Sequence, residues 1–199
     1  MTHVLQVCVR SYWHSGTGRG LGAAVDVAAY RDADNLPALP GRHIKGLLRH
    51  ALEQAWSWGW AGHADGSLLH NLLGQRTEQT PDGQVPSSGL LRVSDARLPD
   101  ELGAWLSVDE RSAERAALFR ILQSTAVDEI TGSARDRSLR GIEVVVPLDL
   151  RAIIEPIPGP GAPPSDWPER LCEVLPLIPA VGGHRTRGLG RAQLTLEAL

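Results

Sequence analysis

Leu5, Val7 and Val9 alternate with Gln6, Cys8 and Arg10, the period of two that marks a half-buried strand. The same period returns at the other end of the chain, where Ala192, Leu194 and Leu196 alternate with Gln193, Thr195 and Glu197. Between them the period becomes helical. Ile44, Leu47, Leu48, Ala51, Leu52 and Ala55 form one apolar stripe that starts just after Pro40-Gly41, with Lys45 and Arg49 one turn apart on a different face. Gly89 to Asp95 reads as a strand ending in a turn, and residues 112–122 as a second, shorter helix. Val144, Val146, Leu148 and Leu150 alternate with their neighbours and predict one strand, placed near a sheet edge because Pro147 has no N–H to donate. Pro156 to Pro164 is a connector. It feeds a helix with Trp167, Leu171, Val174, Leu175 and Ile178 on its buried face, opened by a capping box of Asp166 and Glu169. Strand, helix, strands, helix, strand is the order of a ferredoxin-like or RNA-recognition-type α+β fold.

The stretches that break periodicity matter as much. Residues 61–88 and 124–141 are polar, rich in turn formers and predicted to be loop insertions on a single domain spanning 1–199. A formal charge of −3 argues against an indiscriminate polycation. Charge is segregated instead: Asp95, Asp100, Glu101, Asp109, Glu110 and Glu114 crowd the middle, so a nucleic acid would have to be held in a local groove. Cys8 and Cys172 are too few for a metal site or a disulfide framework, which points to a reducing cytoplasm. No apolar run long enough to span a membrane is present, so no membrane partner is expected.

Two segments carry the positive charge. Gly182 to Arg191 holds four glycines and three arginines without an acid. Glycine lets backbone N–H groups approach a ligand, and guanidinium forks fit phosphate oxygens; the same composition also serves as a tight turn with solvated arginines. The second segment, Leu39 to Arg49, puts Arg42, His43 and Lys45, the only lysine, at the open N-terminus of the long helix. Its plainer reading is the solvated basic face of an amphipathic helix. Trp56, Trp58 and Trp60, spaced by two, read as packing or subunit-contact residues before base-stacking ones. Nucleotide-enzyme signatures are missing: Pro40 to Arg49 lacks the Gly-Lys-Ser/Thr of a P-loop, and Gly16 to Gly22 does not follow a dinucleotide-binding pattern.

Taken jointly, the segments resemble the RAMP superfamily of CRISPR proteins, most closely the small, Csm-type backbone subunit of type III effector complexes. Gly20 to Asp32 is similar to the family's loop, which holds one Asp six residues before another. Leu39-Pro40-Gly41 through Ile44-Lys45-Gly46 matches its Pro-Gly-Ser-Ser-Leu-Lys-Gly helix start, with Arg42-His43 where the family has paired serines. Leu91 to Ala96 is similar to its Ser-Asp-Ala strand end, Ser124 to Gly132 to the segment before its protruding hairpin, Ile142 to Pro147 to its Ile-Glu-x-Val-Pro strand, and Gly182 to Arg191 to its glycine-rich loop.

The resemblance implies an RNA-recognition-type core with inserted loops and a protruding hairpin, assembled as a filament of copies of itself, beside other type III subunits, on a guide RNA. Guide contacts would come from Gly41, Arg42, His43, Lys45, Arg49, Gly183, His184, Arg185, Arg187, Gly188 and Arg191. It further implies that complementary target RNA is cleaved by transesterification, with Asp26 as catalytic residue and as ligand of Mg²⁺ or another divalent cation. Read on its own, an Asp in a small-residue loop is a turn former. Two other readings stand beside this one: a guide-holding scaffold in which Asp26 is idle, and a metal-independent guide-processing ribonuclease using His14, His43 or His184.

Overall fold

The computed structural model describes the chain except residues 19, 21–24, 61, 64–65, 77–79, 81–84 and 160. Part of the predicted 61–88 loop and Leu21 to Ala24 of the Gly20–Asp32 motif therefore lie outside the described residues. Among the described residues six strands and five α-helices follow in the order β1 (His3–Val9), α1 (Gly41–Ser57), α2 (Ser67–Leu73), β2 (Leu91–Val93), α3 (Asp100–Ser107), α4 (Ser112–Ala116), β3 (Phe119–Ser124), β4 (Arg140–Val145), β5 (Asp149–Pro156), α5 (Trp167–Val174) and β6 (Ala192–Ala198). Four strands form an antiparallel sheet in the order β2-β5-β1-β6. With α1 crossing from β1 to β2 and α5 from β5 to β6, that is the ferredoxin-like arrangement the alternation predicted.

One face of this sheet makes the core. Leu5, Val7 and Val9 of β1, Leu150, Ala152 and Ile154 of β5 and Leu194 of β6 are buried in one cluster with the α1 stripe and with Trp167, Leu171 and Val174 of α5. At roughly 1.5–3 kcal/mol for each large apolar side chain, this alternation is the main reason the register cannot slip.

Several local expectations fail for identifiable reasons. The strand expected across Val144 to Arg151 is two strands in two sheets. β4 ends at Val145, the chain turns through Pro147, and β5 starts at Asp149 as an interior strand between β2 and β1 rather than near an edge. Helix 112–122 stops at Ala116, because Phe119 to Ser124 pairs with β4 in full register from Phe119↔Val145 to Ser124↔Arg140. Tertiary pairing overrides the local pattern there. The capping box does not form: Asp166 makes no side-chain cap and instead accepts from Arg170 Nε at 3.0 Å. Two helices lie where none was expected. α2 buries Leu69, Leu72 and Leu73, and α3 opens with Asp100 and Glu101 after Pro99.

β3 and β4 make a separate hairpin whose connection, residues 125–139, is exposed along most of its length, with Ile130 at 95%. This is the protruding hairpin, and the excursion is a little shorter than 124–141 because both strands reach into that span.

The start of α1 is set from a distance. Pro40 precedes it without a side-chain cap, and Asp95, just past β2, accepts the Gly41 N–H at 2.8 Å and the Tyr30 hydroxyl at 3.0 Å. A Cβ on Gly41 would run into the Val93 carbonyl, so only glycine lets the helix start this close to the strand. Asp95→Ala should therefore lower unfolding free energy by about 1–2 kcal/mol, whereas Asp95→Asn, which keeps an acceptor, should lose less. Urea unfolding of the two variants measures the difference; equal losses would show that Asp95 does not cap.

Candidate nucleic-acid interface

The two basic segments, about 140 residues apart in the chain, meet in the fold. The Gly182 N–H donates to His43 Nε2 at 2.9 Å, joining the glycine-arginine loop to the first turn of α1. Behind it the Gly183 N–H donates to the His14 carbonyl at 2.6 Å, and a Cβ on Gly182 would strike that same carbonyl. The loop then makes a single 3-10 turn, Arg185–Arg187, bracketed by His184 at φ 54° and Gly188 at φ 84°. These left-handed positions turn Arg185, Thr186 and Arg187 outward, where they are exposed.

Their charges stay uncompensated. Among the described residues no ion pair or hydrogen bond holds the guanidinium of Arg42, Arg185, Arg187 or Arg191, whereas Arg31, Arg76, Arg92, Arg111, Arg135 and Arg170 each have an acidic partner. Burial, and then the positive charge of Arg185, depress the pKa of His43. Burial, and then Arg49, depress that of Lys45. Because a backbone N–H can only donate, the bond from Gly182 also fixes the tautomer of His43, with the proton on Nδ1.

Not every predicted contact faces outward. Gly41 is buried and its N–H is committed to Asp95. Arg49 Nη2 donates to the carbonyls of Leu73 and Gly74 at 2.7 and 2.9 Å, closing the C-terminus of α2. Burial lowers its pKa first, and Arg76 adds to the shift while Glu53 opposes it. Gly183 is half-buried, and His184, Gly188 and Arg191 are exposed on the loop. Trp56 and Trp58 are exposed at the end of α1, while Trp60 packs against the core.

Asp26 lies elsewhere, at the root of the hairpin. Its N–H donates to the Gly141 carbonyl and its Oδ2 accepts the Gly141 N–H, both at 2.8 Å. Oδ1 has no partner among the described residues, and the residue is exposed. The surrounding segment is tied to β4 by Glu143, 7% exposed, whose Oε2 accepts the Ala29 N–H at 3.0 Å and whose Oε1 pairs with Arg31 at 2.6 Å. The Arg31 guanidinium also lies over the Phe119 ring, 3.6 Å from its centre. No group of three or more potential metal ligands exists among the described residues. The donor set is therefore one hard carboxylate oxygen, suited to a hydrated divalent cation that takes its other ligands from water or phosphate.

Comparison with known proteins decides the family. The RAMP superfamily model matches residues 9–193. The chain belongs to the RAMP superfamily. Its fold is also that of a chain in the cryo-EM structure of the type III-B Cmr-beta bound to cognate target RNA, with a TM-score of 0.69, 10% identity and 98% and 97% of the two chains covered. A chain of the Cmr-beta apo state matches with a TM-score of 0.66 at the same identity and coverage. No curated protein matches the sequence. Among the described residues of this RAMP protein no helix is long and apolar enough to cross a membrane.

The joint between the two basic segments titrates. Since the folded pKa of His43 lies below its ordinary value of 6.5, the unfolded chain takes up the proton first. The contribution is intact above pH 6.5 and is lost as pH falls through 6.5 to below the folded value. Thermal unfolding between pH 8 and 5 should show a steeper acid loss for the native chain than for His43→Asn, and parallel curves would rule out this latch.

Proposed function

We propose that this chain is a guide-RNA-binding backbone subunit of a type III CRISPR effector complex that forms a filament on the guide and cleaves complementary target RNA. One observation carries the reading. The Gly182–His43 bond makes a single surface of two glycine-flanked basic segments whose arginines have no ion-pair partner among the described residues. Such a surface suits a phosphate backbone, whose charge is the same for every sequence, as a subunit that accepts any guide requires. The fold likeness to chains of a type III-B complex agrees with it. Copies of the chain would add head to tail, a heterologous contact that does not close, with the exposed Trp56 and Trp58 available for subunit contact.

In this reading Asp26 carries the cleavage. The nucleophile belongs to the substrate: a target 2′-hydroxyl attacks the adjacent phosphorus in line, the 5′-oxygen leaves, and a cyclic phosphate and a 5′-hydroxyl result. Asp26 Oδ1 either takes the hydroxyl proton or holds the cation, while Oδ2 stays fixed on Gly141. Held by Asp26, Mg²⁺ or another divalent ion would supply neutralisation of the charge that builds on the phosphate.

Replacing Arg185 and Arg187 with Ala should weaken unrelated RNA sequences alike. The logarithmic salt slope should become shallower by about 1.4, the counterions two phosphate contacts release on single strands. Loss confined to one sequence would indicate base readout and end the assignment. For cleavage, Asp26→Asn is the clean variant, since its amide oxygen still accepts from Gly141, whereas Ala also removes that clamp. A gel of labelled target at equal RNA occupancy should show no metal-dependent product with Asp26→Asn. Undiminished cutting would show that Asp26 is a turn residue with no part in the chemistry.

A further inference from the structure

Arg97 and Arg151 face each other across the sheet. Val93 of β2 stands opposite Ile154 of β5, yet four residues further on Arg97 stands opposite Arg151, only three residues back. The extra residue makes a β-bulge. The Ser94 N–H donates to the Ile153 carbonyl at 2.9 Å, but the Ile153 N–H goes to Ser94 Oγ at 2.8 Å in place of a main-chain oxygen. Had the register of β2 run on, Arg97 would face Leu150, which is buried in the core; the bulge turns it to the other face instead.

Arg97 and Arg151 exchange both main-chain hydrogen bonds, at 2.9 and 2.7 Å, which sets their Cα atoms about 5.5 Å apart with both exposed side chains on one face. Like charges in such a pair destabilise a sheet. On the same face Arg92 stands opposite Glu155 and pairs with it, so the ladder is matched there and unmatched here. Over this face, turned away from α1 and α5, lies a cleft of about 610 Å³ lined by both arginines, Gln6 and Ile153. Arg151 Nε donates to Gln6 Oε1 at 3.2 Å, and among the described residues neither guanidinium has an ion-pair partner. Of the acids in the cleft, Asp95 is committed to Gly41 and Tyr30, and among the described residues Asp100 and Glu197 form no ion pair.

We infer that Arg97 and Arg151 together hold a backbone phosphate of the bound RNA, so that the groove which begins at the glycine-arginine loop continues past the start of α1 onto the open face of the sheet. The inference rests on the RNA-binding reading of that loop. Continuity carries it. Asp95 accepts from Gly41, the residue before Arg42; Leu39 pairs with Ala96; and Arg97 follows directly. The charges of Arg42 and Arg97 are both felt at the Tyr30 hydroxyl, which is bonded to the same Asp95. Guanidinium forks suit the charged oxygens of a phosphodiester, and a bound phosphate relieves the repulsion between them. An acidic side chain of another copy would also relieve it, but the strand gripped at Arg42 is the anion already adjacent.

The test measures binding of a labelled single-stranded RNA to the intact protein across a salt series. Arg97→Gln and Arg151→Gln should each weaken binding about tenfold at low salt, as loss of a charge-assisted contact does, and make the logarithmic salt slope shallower by about 0.7. Arg92→Gln removes the same charge from the same face and is the control. It should change RNA affinity little, because Glu155 engages that arginine in the free protein. Arg97→Glu, which turns the repelling pair into an attracting one, should bind RNA more weakly still and raise the urea midpoint of unfolding. An RNA affinity unchanged by Arg97→Gln and Arg151→Gln, equal weakening by Arg92→Gln, or a lowered midpoint for Arg97→Glu overturns the inference, and continued dependence on Arg185 and Arg187 then shows that RNA binding itself stands. Loss of self-association in place of RNA binding assigns the pair to an acid of a neighbouring copy and overturns it as well. If the native protein binds no RNA, or binds it without dependence on Arg185 and Arg187, the RNA-binding reading of the loop fails and the inference with it.

Discussion

The Asp95 carboxylate holds the Gly41 N–H, and the geometry of the basic surface follows from that contact. It is a cap supplied from 54 residues away. Without a Cβ at Gly41 the helix begins pressed against the end of β2, and the following two residues, Arg42 and His43, are delivered to the edge where the C-terminal loop returns. Tyr30 fixes the other oxygen of Asp95, and this bond, followed by burial, raises the tyrosine pKa, against the opposing charges of Arg42 and Arg97. The helix dipole thus meets an acid at its N-terminus that is already paired, and the basic side chains beside it keep their charge for something else.

β4 performs the complementary task. One edge pairs with β3 and carries the protruding hairpin; the other is stitched to the first third of the chain through Trp13↔Val145 and Val27↔Ile142. Glu143 concentrates this stitching, with its carboxylate on Ala29 and Arg31 and its carbonyl on His14. A buried carboxylate with an arginine and a backbone donor is costly to break, because whichever partner is lost leaves the other unpaired. Asp26 and His14 consequently hang from the same strand, two residues apart at Gly141 and Glu143. Any displacement of the hairpin is felt at both.

What could be read from the sequence was whatever repeats. The α1 stripe, β1, β6 and Trp167, Leu171 and Val174 of α5 recur as predicted, while the expected Leu175 and Ile178 are buried just past the end of that helix, because a face that buries apolar area writes its period into the chain. β3 could not be read, since six residues with helical neighbours became a strand only through β4. Nor could the fate of Asp166, which turned on whether Arg170 reached it first. At the interface, glycine-arginine composition marked Arg42, Arg185 and Arg187 correctly as exposed, yet gave no sign that Arg49 turns inward to α2. Asp95 and Glu143 were visible only as members of motifs. Their partners lie more than 50 residues away, a distance at which spacing says nothing about contact.

A net charge of −3 would seem ill suited to holding a polyanion, and the arrangement of charges resolves the tension. Fields from exposed charges fade within about 8–10 Å at physiological salt, so what matters is the immediate neighbourhood of the groove. There the positive groups crowd one another: Arg185 acts on His43, and Arg49 on Lys45. In the free protein this repulsion is unrelieved, and His43 answers it, together with burial, by resisting protonation and accepting from Gly182 instead. A phosphate strand would remove the repulsion at the moment it binds. An imidazole acceptor can take up a proton, so His43 ties the hold on the loop to protonation.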